Sequence, residues 1–155
     1  MKRVVTADEM RRYELARFSD GRANSLAWME RAAEGVDALL QAQYPEQTVL
    51  AVCGGGNNGG DGFALLRLLT QRGISCAGVL LASADKLAGD AKTNYQRALD
   101  CGVRFFDTCS GEMISNYDVL VDAMFGTGLS RPITGIYAEA IEKIKIGRAS
   151  CRERV

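Results

Sequence analysis

Apolar residues change their spacing near Thr48. Upstream, Leu26, Met29, Ala33, Val36, Leu39 and Leu40 recur at helical steps; downstream, short unbroken apolar runs alternate with longer amphipathic stretches. Thr6-Ala-Asp-Glu9 spells a capping box ahead of a helix over 7–18, which Ser19-Asp-Gly21 stops. A second helix is predicted from Asn24 or Ser25 to just before Pro45. The pattern then predicts a strand over 48–53, a helix over 61–72 closed by Gly73, and a strand over 74–82. A helix over 89–101 closed by Gly102, strands over 103–106 and 117–123, and a helix from Ile136 to Lys145 complete it.

Strands separated by helices imply right-handed crossovers and a parallel sheet covered on both faces. The expected class is therefore α/β, a Rossmann-like three-layer αβα sandwich with a mainly parallel sheet, preceded by two N-terminal helices. In such a sheet ligands lie beyond the carboxyl ends of the strands. Two polar segments fall there, Cys53-Gly-Gly-Gly-Asn-Asn-Gly-Gly-Asp-Gly62 and Asp122-Ala-Met-Phe-Gly-Thr-Gly-Leu-Ser-Arg-Pro132.

Composition narrows the function without naming it. The 155 residues suit one domain, and 47 % apolar with 25 % charged content is that of a globular chain. A formal net charge of zero argues against nucleic-acid binding through phosphate neutralisation. No apolar run is long enough to span a bilayer, and acids follow the basic start, so a soluble cytoplasmic protein is expected, with no membrane partner. Five cysteines form no CxxC pair and there is no histidine, which removes the usual zinc ligands and the usual neutral-pH base. Cys53 and Cys76 sit in apolar runs and are expected to be inert core thiols.

Gly54-x-Gly56-x-x-Gly59 satisfies the dinucleotide fingerprint, and Asp85 follows the second strand where a ribose-binding acid would sit. Asp61 counts against that reading, because a carboxylate at the helix start would repel a pyrophosphate held by the dipole. Asn57, Asn58 and Asp61 instead supply carbonyl and carboxylate oxygens with amide donors, a set suited to a hard cation or a neutral polar ligand edge. The bland alternative is that the asparagines tolerate left-handed turn geometry and Asp61 is an N-cap. Asp122 ends an apolar strand and, partly desolvated, requires a counter-charge or hydrogen bonds. Asp118 is expected at the surface. Arg131 reads equally as a phosphate ligand or a surface residue, and Trp28 and Met29 as core or dimer contacts rather than a ligand stack.

Together the two loops, Leu26-Ala-Trp-Met-Glu-Arg-Ala-Ala33 and Gly89-Asp-Ala-Lys-Thr-Asn-Tyr95 resemble the YjeF N-terminal domain family, the NAD(P)H-hydrate (NAD(P)HX) epimerases, over about residues 3–145. The resemblance implies an isomerase that interconverts the R and S epimers of hydrated NADH or NADPH in cofactor repair. A companion ADP- or ATP-dependent dehydratase, in some chains fused, then acts on the S form. By position, Asn57, Asn58, Gly59, Gly60 and Asp61 would contact the hydrated cofactor, and Gly126, Thr127, Gly128, Leu129, Ser130, Arg131 and Pro132 would form the second ligand loop. Asn58 and Asp122 would hold one potassium ion per subunit, with Asp122 also the residue present for the catalytic electrostatics. A homodimer is implied as well.

The chain departs from the family at its C-terminus. A Val-Asp-x-Pro-Ser-Gly-like segment, whose aspartate contacts ligand and whose serine completes the potassium site, has no counterpart here. Ile146 to Val155 resembles a translated sequencing adapter and loses apolar periodicity. The expectation is a domain over 1–145, C-terminally truncated, followed by a non-native basic tail over 146–155. Two other readings stay open: a non-catalytic nucleotide-ligand binding or scaffold module of the same fold, and a hydride-transferring dehydrogenase.

Overall fold

The computed structural model describes residues 5–19, 24–127, 129–147 and 153–154. Helix α1 (Ala7–Ser19) opens on the expected capping box, with Glu9 N–H donating to Thr6 Oγ1 at 3.2 Å and Thr6 N–H donating to Glu9 Oε2 at 2.7 Å. Helix α2 (Ser25–Gln43) is capped by Asn24, whose Oδ1 accepts from Leu26 N–H at 3.0 Å. Then come β1 (Val49–Cys53), α3 (Asn57–Gln71), β2 (Cys76–Leu80), a 3₁₀ turn (Ala84–Lys86), α4 (Gly89–Asp100) and β3 (Arg104–Phe106). A short α5 (Gly111–Ser115), β4 (Val119–Ala123), α6 (Ile136–Gly147) and a two-residue β5 (Glu153–Arg154) follow.

The sheet is parallel throughout, in the order β3-β2-β1-β4-β5. Every residue of β1 is buried, as a central strand covered on both faces requires. Val49, Ala51 and Cys53 face a core built with Leu66 and Leu69 of α3, Ala33 and Leu40 of α2 and Ala98 of α4. Leu50 and Val52 face the other way, toward Ile114 of α5 and Ala140 and Ile144 of α6. This is the three-layer αβα sandwich. Ion pairs fasten α2 to α3: Asp37, buried, with Arg72 at 2.9 Å, and Glu30 with Arg67. Gly73 and Gly102 end α3 and α4 with φ of +77° and +89°, a left-handed turn that favours glycine.

Two expectations change and a third is met with an added contact. First, α3 begins at Asn57, a turn earlier than the apolar pattern suggests, because the polar and glycine residues 57–60 form its first turn. Asp61 is therefore inside the helix rather than its cap, and Asn57 and Asn58 take helical rather than left-handed conformation. Asp118 is exposed, as expected, and also accepts from the Thr48 N–H at 3.0 Å and hydroxyl at 2.8 Å, which ties the starts of β1 and β4 together. Second, the segment after Lys145 is not uniformly a solvated tail: Ile146 and Gly147 continue α6, and Glu153 and Arg154 pair with Val119 and Leu120. Among the described residues no helix is long and apolar enough to cross a membrane.

Candidate functional site

The glycine segment works by close packing. None of its glycines has a positive φ. A Cβ on Gly54 would run into the Met124 carbonyl, and one on Gly59 into the Gly54 carbonyl. Gly60 meets Met29 in the same way, with its missing Cβ only 2.6 Å from Met29 Sδ. These close approaches draw the start of α3 down against the ends of β1 and β4. Gly56, the residue before α3, faces open space.

The result is a cleft of about 950 Å³ at the carboxyl ends of β1 and β4, onto which both predicted ligand segments open. Asn57, Asn58 and Asp61 of α3 line it. So do Gly126, Thr127, Leu129, Ser130, Arg131 and Pro132 of the loop after β4; Gly128 lies outside the described residues. Gly59 and Gly60 are buried in the packing just described and do not line the cleft. Arg131 is exposed on the wall, while Asp85, exposed and bonded to Ser83, lies away from it, which removes the ribose-acid reading. Met29 is core, and Trp28 packs on Tyr13 of α1 with ring centroids 6.3 Å apart.

Asn58 joins the two segments. Its Nδ2 donates to the Phe125 carbonyl at 3.0 Å, and Gly126 lies beside it, where a Cβ would make only ordinary contact with Asn58 Cβ at 3.5 Å. Asp122, half-buried and opposite Val52 in the register, lies near the end of β4, three residues before Phe125. Its Oδ1 accepts from Met124 N–H at 3.2 Å, and it does not line the cleft. Burial first, and the Asp122 charge second, push the Cys53 thiol far up, so Cys53 is an inert core thiol. Cys76 is likewise raised by burial. The amide and carboxylate oxygens of Asn58 and Asp122 are hard donors of the kind an alkali or alkaline-earth cation takes. Among the described residues no cluster of three acidic, cysteine or histidine side chains is present, so backbone carbonyls, water or ligand would complete a cation's shell.

Ile133, Thr134 and Tyr137 extend the wall beyond the predicted loop, and two charged wall residues were not anticipated either. Arg11 and Glu14 reach the cleft from α1, and Arg11 Nη2 donates to the Thr127 carbonyl at 3.2 Å. The capping box announces a helix there, but no local pattern says where it docks. Glu14 matters for Asp61, whose carboxyl is raised to about 6 by burial first and by the Glu14 charge second.

A model of the family described as YjeF-related protein N-terminus matches residues 25–150. The chain belongs to that family. Within it, an NAD(P)H-hydrate epimerase of Rhodobacter capsulatus is 38 % identical over 143 residues, covering 87 % of this chain and 67 % of that protein. One from Roseobacter litoralis is 35 % identical over 159 residues, covering 88 % and 69 %. A bifunctional NAD(P)H-hydrate repair enzyme of Thermofilum pendens is 46 % identical over 123 residues, covering 75 % of this chain and 24 % of that enzyme. The crystal structure of a yeast protein superposes with a TM-score of 0.83 at 19 % identity, covering 97 % of this chain and 68 % of that one, which establishes the shared fold. The matched segment begins at the start of α2, so α1 with Arg11 and Glu14 lies upstream of it.

Proposed function

We propose that this chain is an NAD(P)H-hydrate epimerase, interconverting the R and S epimers of hydrated NADH and NADPH. The observation that carries the reading is the convergence of the Asn57–Asp61 turn and the 126–132 loop on one cleft at the strand ends, joined by Asn58. The names of its relatives in the YjeF-related family point the same way.

The hydroxyl of the hydrated ring is on a carbon bonded to the ring nitrogen. Protonation lets it leave as water while the nitrogen lone pair stabilises the cation left behind. Water then returns to the opposite face and gives its proton back, so the step is balanced and needs no redox partner. A wall carboxyl that changes charge near pH 6 is suited to hold and move that proton, which assigns the role to Asp61. Asp122, the residue expected from sequence for catalytic electrostatics, acts from behind the wall. There Asn58 and Asp122 would hold a potassium ion, whose charge favours the carboxylate and fixes the Asn58 amide. The product epimer would pass to an ADP- or ATP-dependent dehydratase, and the bifunctional relative suggests how the two activities come to be joined.

Chromatographic separation of R- and S-NADPHX tests the reading. Interconversion faster than in buffer is expected; the buffer rate alone overturns it. The position of Asp122 off the wall favours a second reading, a non-catalytic nucleotide-binding module, which saturable NADPHX binding without turnover would establish.

A further inference from the structure

The cleft is electrically divided. Glu14 lies close enough to Asp61 to raise its pKa, so the two carboxyls mark one region of the wall. Arg11, on the same face of α1 one turn earlier, reaches instead to Thr127, four residues before Arg131 in the same loop. Arg11 therefore leans on the loop that also carries Arg131, while the two carboxyls meet at α3. A ligand fitting this wall carries its negative charge at one end and a neutral polar group at the other.

We propose that Arg11 binds phosphoryl oxygens of the substrate together with Arg131, making α1 part of the binding site and orienting the hydrated ring toward Asp61. This rests on the epimerase reading for the identity of the substrate. The Thr127 carbonyl occupies one of the five guanidinium donors at 3.2 Å, and the approach to Asp8 is a long, exposed 4.0 Å. With Nη2 on the carbonyl, the guanidinium keeps further donors that can fork onto two phosphoryl oxygens, the geometry that phosphate recognition uses. A lysine in its place would supply charge without that fork. Residues upstream of the family match thus have a ligand-binding task that is chemical rather than merely structural.

Arg11→Gln separates the two roles, because a glutamine amide still offers a donor to the Thr127 carbonyl while the charge is gone. With NADHX the variant should raise KM about tenfold at little change in kcat, the loss of one charge-assisted contact. With hydrated reduced nicotinamide riboside, which carries no phosphate, KM should move less than about twofold. An unchanged KM for NADHX overturns the proposal, and so does an equal rise for both substrates, which would mean that Arg11 only fastens α1. If the wild-type protein turns over neither substrate, the epimerase reading fails and titration with ADP-ribose decides the Arg11 role separately. About tenfold weaker ADP-ribose binding in Arg11→Gln supports it, and equal binding overturns it.

Discussion

Asn58 Nδ2 donates to the Phe125 carbonyl oxygen at 3.0 Å, across 67 positions of sequence. Through this bond the first turn of α3 and the exit of β4 become one wall. A helix start and a strand end are thereby held in a register that neither could keep alone. The contact is half-buried, so breaking it strands a carbonyl that water reaches only in part.

Asn58→Ala should lower the melting temperature by about 2–4 °C, corresponding to roughly 1 kcal/mol for one hydrogen bond in a chain of this length. The epimerisation rate should fall by a larger factor, about tenfold or more, because a small displacement of positioned groups is costly to chemistry. Thermal melts beside turnover rates check both. A rate that falls only as far as the folded fraction does would deny Asn58 any role beyond stability.

Asp122 carries the potassium assignment. Asp122→Ala should abolish the difference between rates measured in potassium chloride and in choline chloride, while stability falls by about 1 kcal/mol with loss of the Met124 N–H acceptor. Undiminished activation by potassium in the variant removes the assignment.

The alternation of apolar runs and amphipathic stretches is set by local side-chain period, so the five longer helices, β1 to β4 and their order along the chain were legible in the sequence, whereas the single-turn α5 and the two-residue β5 are too short to carry a period. The two ligand segments were legible too, because polar residues and glycines at strand ends have few other uses. Three things were hidden. The first turn of α3 is spelled Asn-Asn-Gly-Gly, poor helix formers held helical by packing against Met29 and the β1 exit, a tertiary effect that overrides propensity. The wall positions of Arg11 and Glu14 depend on where α1 docks, which no periodicity encodes. Asp61 and Asp122 look alike as carboxylates after strands, and only the fold sets one on the wall and the other behind it.

Asp61 makes stability depend on pH in a direction opposite to a salt-bridged aspartate. Its folded value of about 6 lies above the ordinary 3.8, so the folded state holds the proton more tightly. That contribution is complete below about pH 4 and is lost as pH rises through about 6. Because Asp61 keeps a solvent-facing side, the loss is discounted to roughly 1 kcal/mol. Asp61→Asn should therefore melt about 2–4 °C above wild type at pH 7.5 and level with it at pH 4. Glu14→Gln removes the second cause of the shift, so the alkaline limb of the epimerase pH profile, where Asp61 loses the proton it donates, should move to lower pH. A limb that stays in place would detach Asp61 from the profile.

The glycine segment offers a comparison between two positions three residues apart. Gly59 has the Gly54 carbonyl where its Cβ would go, and that obstacle is backbone, which cannot rotate aside. Gly56 has an ordinary extended conformation, φ −98° and ψ −166°, and nothing within 4 Å of a Cβ. Gly59→Ala should thus cost at least about 2 kcal/mol, seen as a urea midpoint lowered by about 1 M. Gly56→Ala should leave the midpoint within about 0.3 M, since an exposed residue in extended geometry accepts a methyl group. It should still weaken NADPHX binding, because the added methyl projects from the cleft wall. If Gly59→Ala unfolds at the wild-type midpoint, the glycines serve the ligand rather than the packing, and the account of how α3 is drawn against the sheet is wrong.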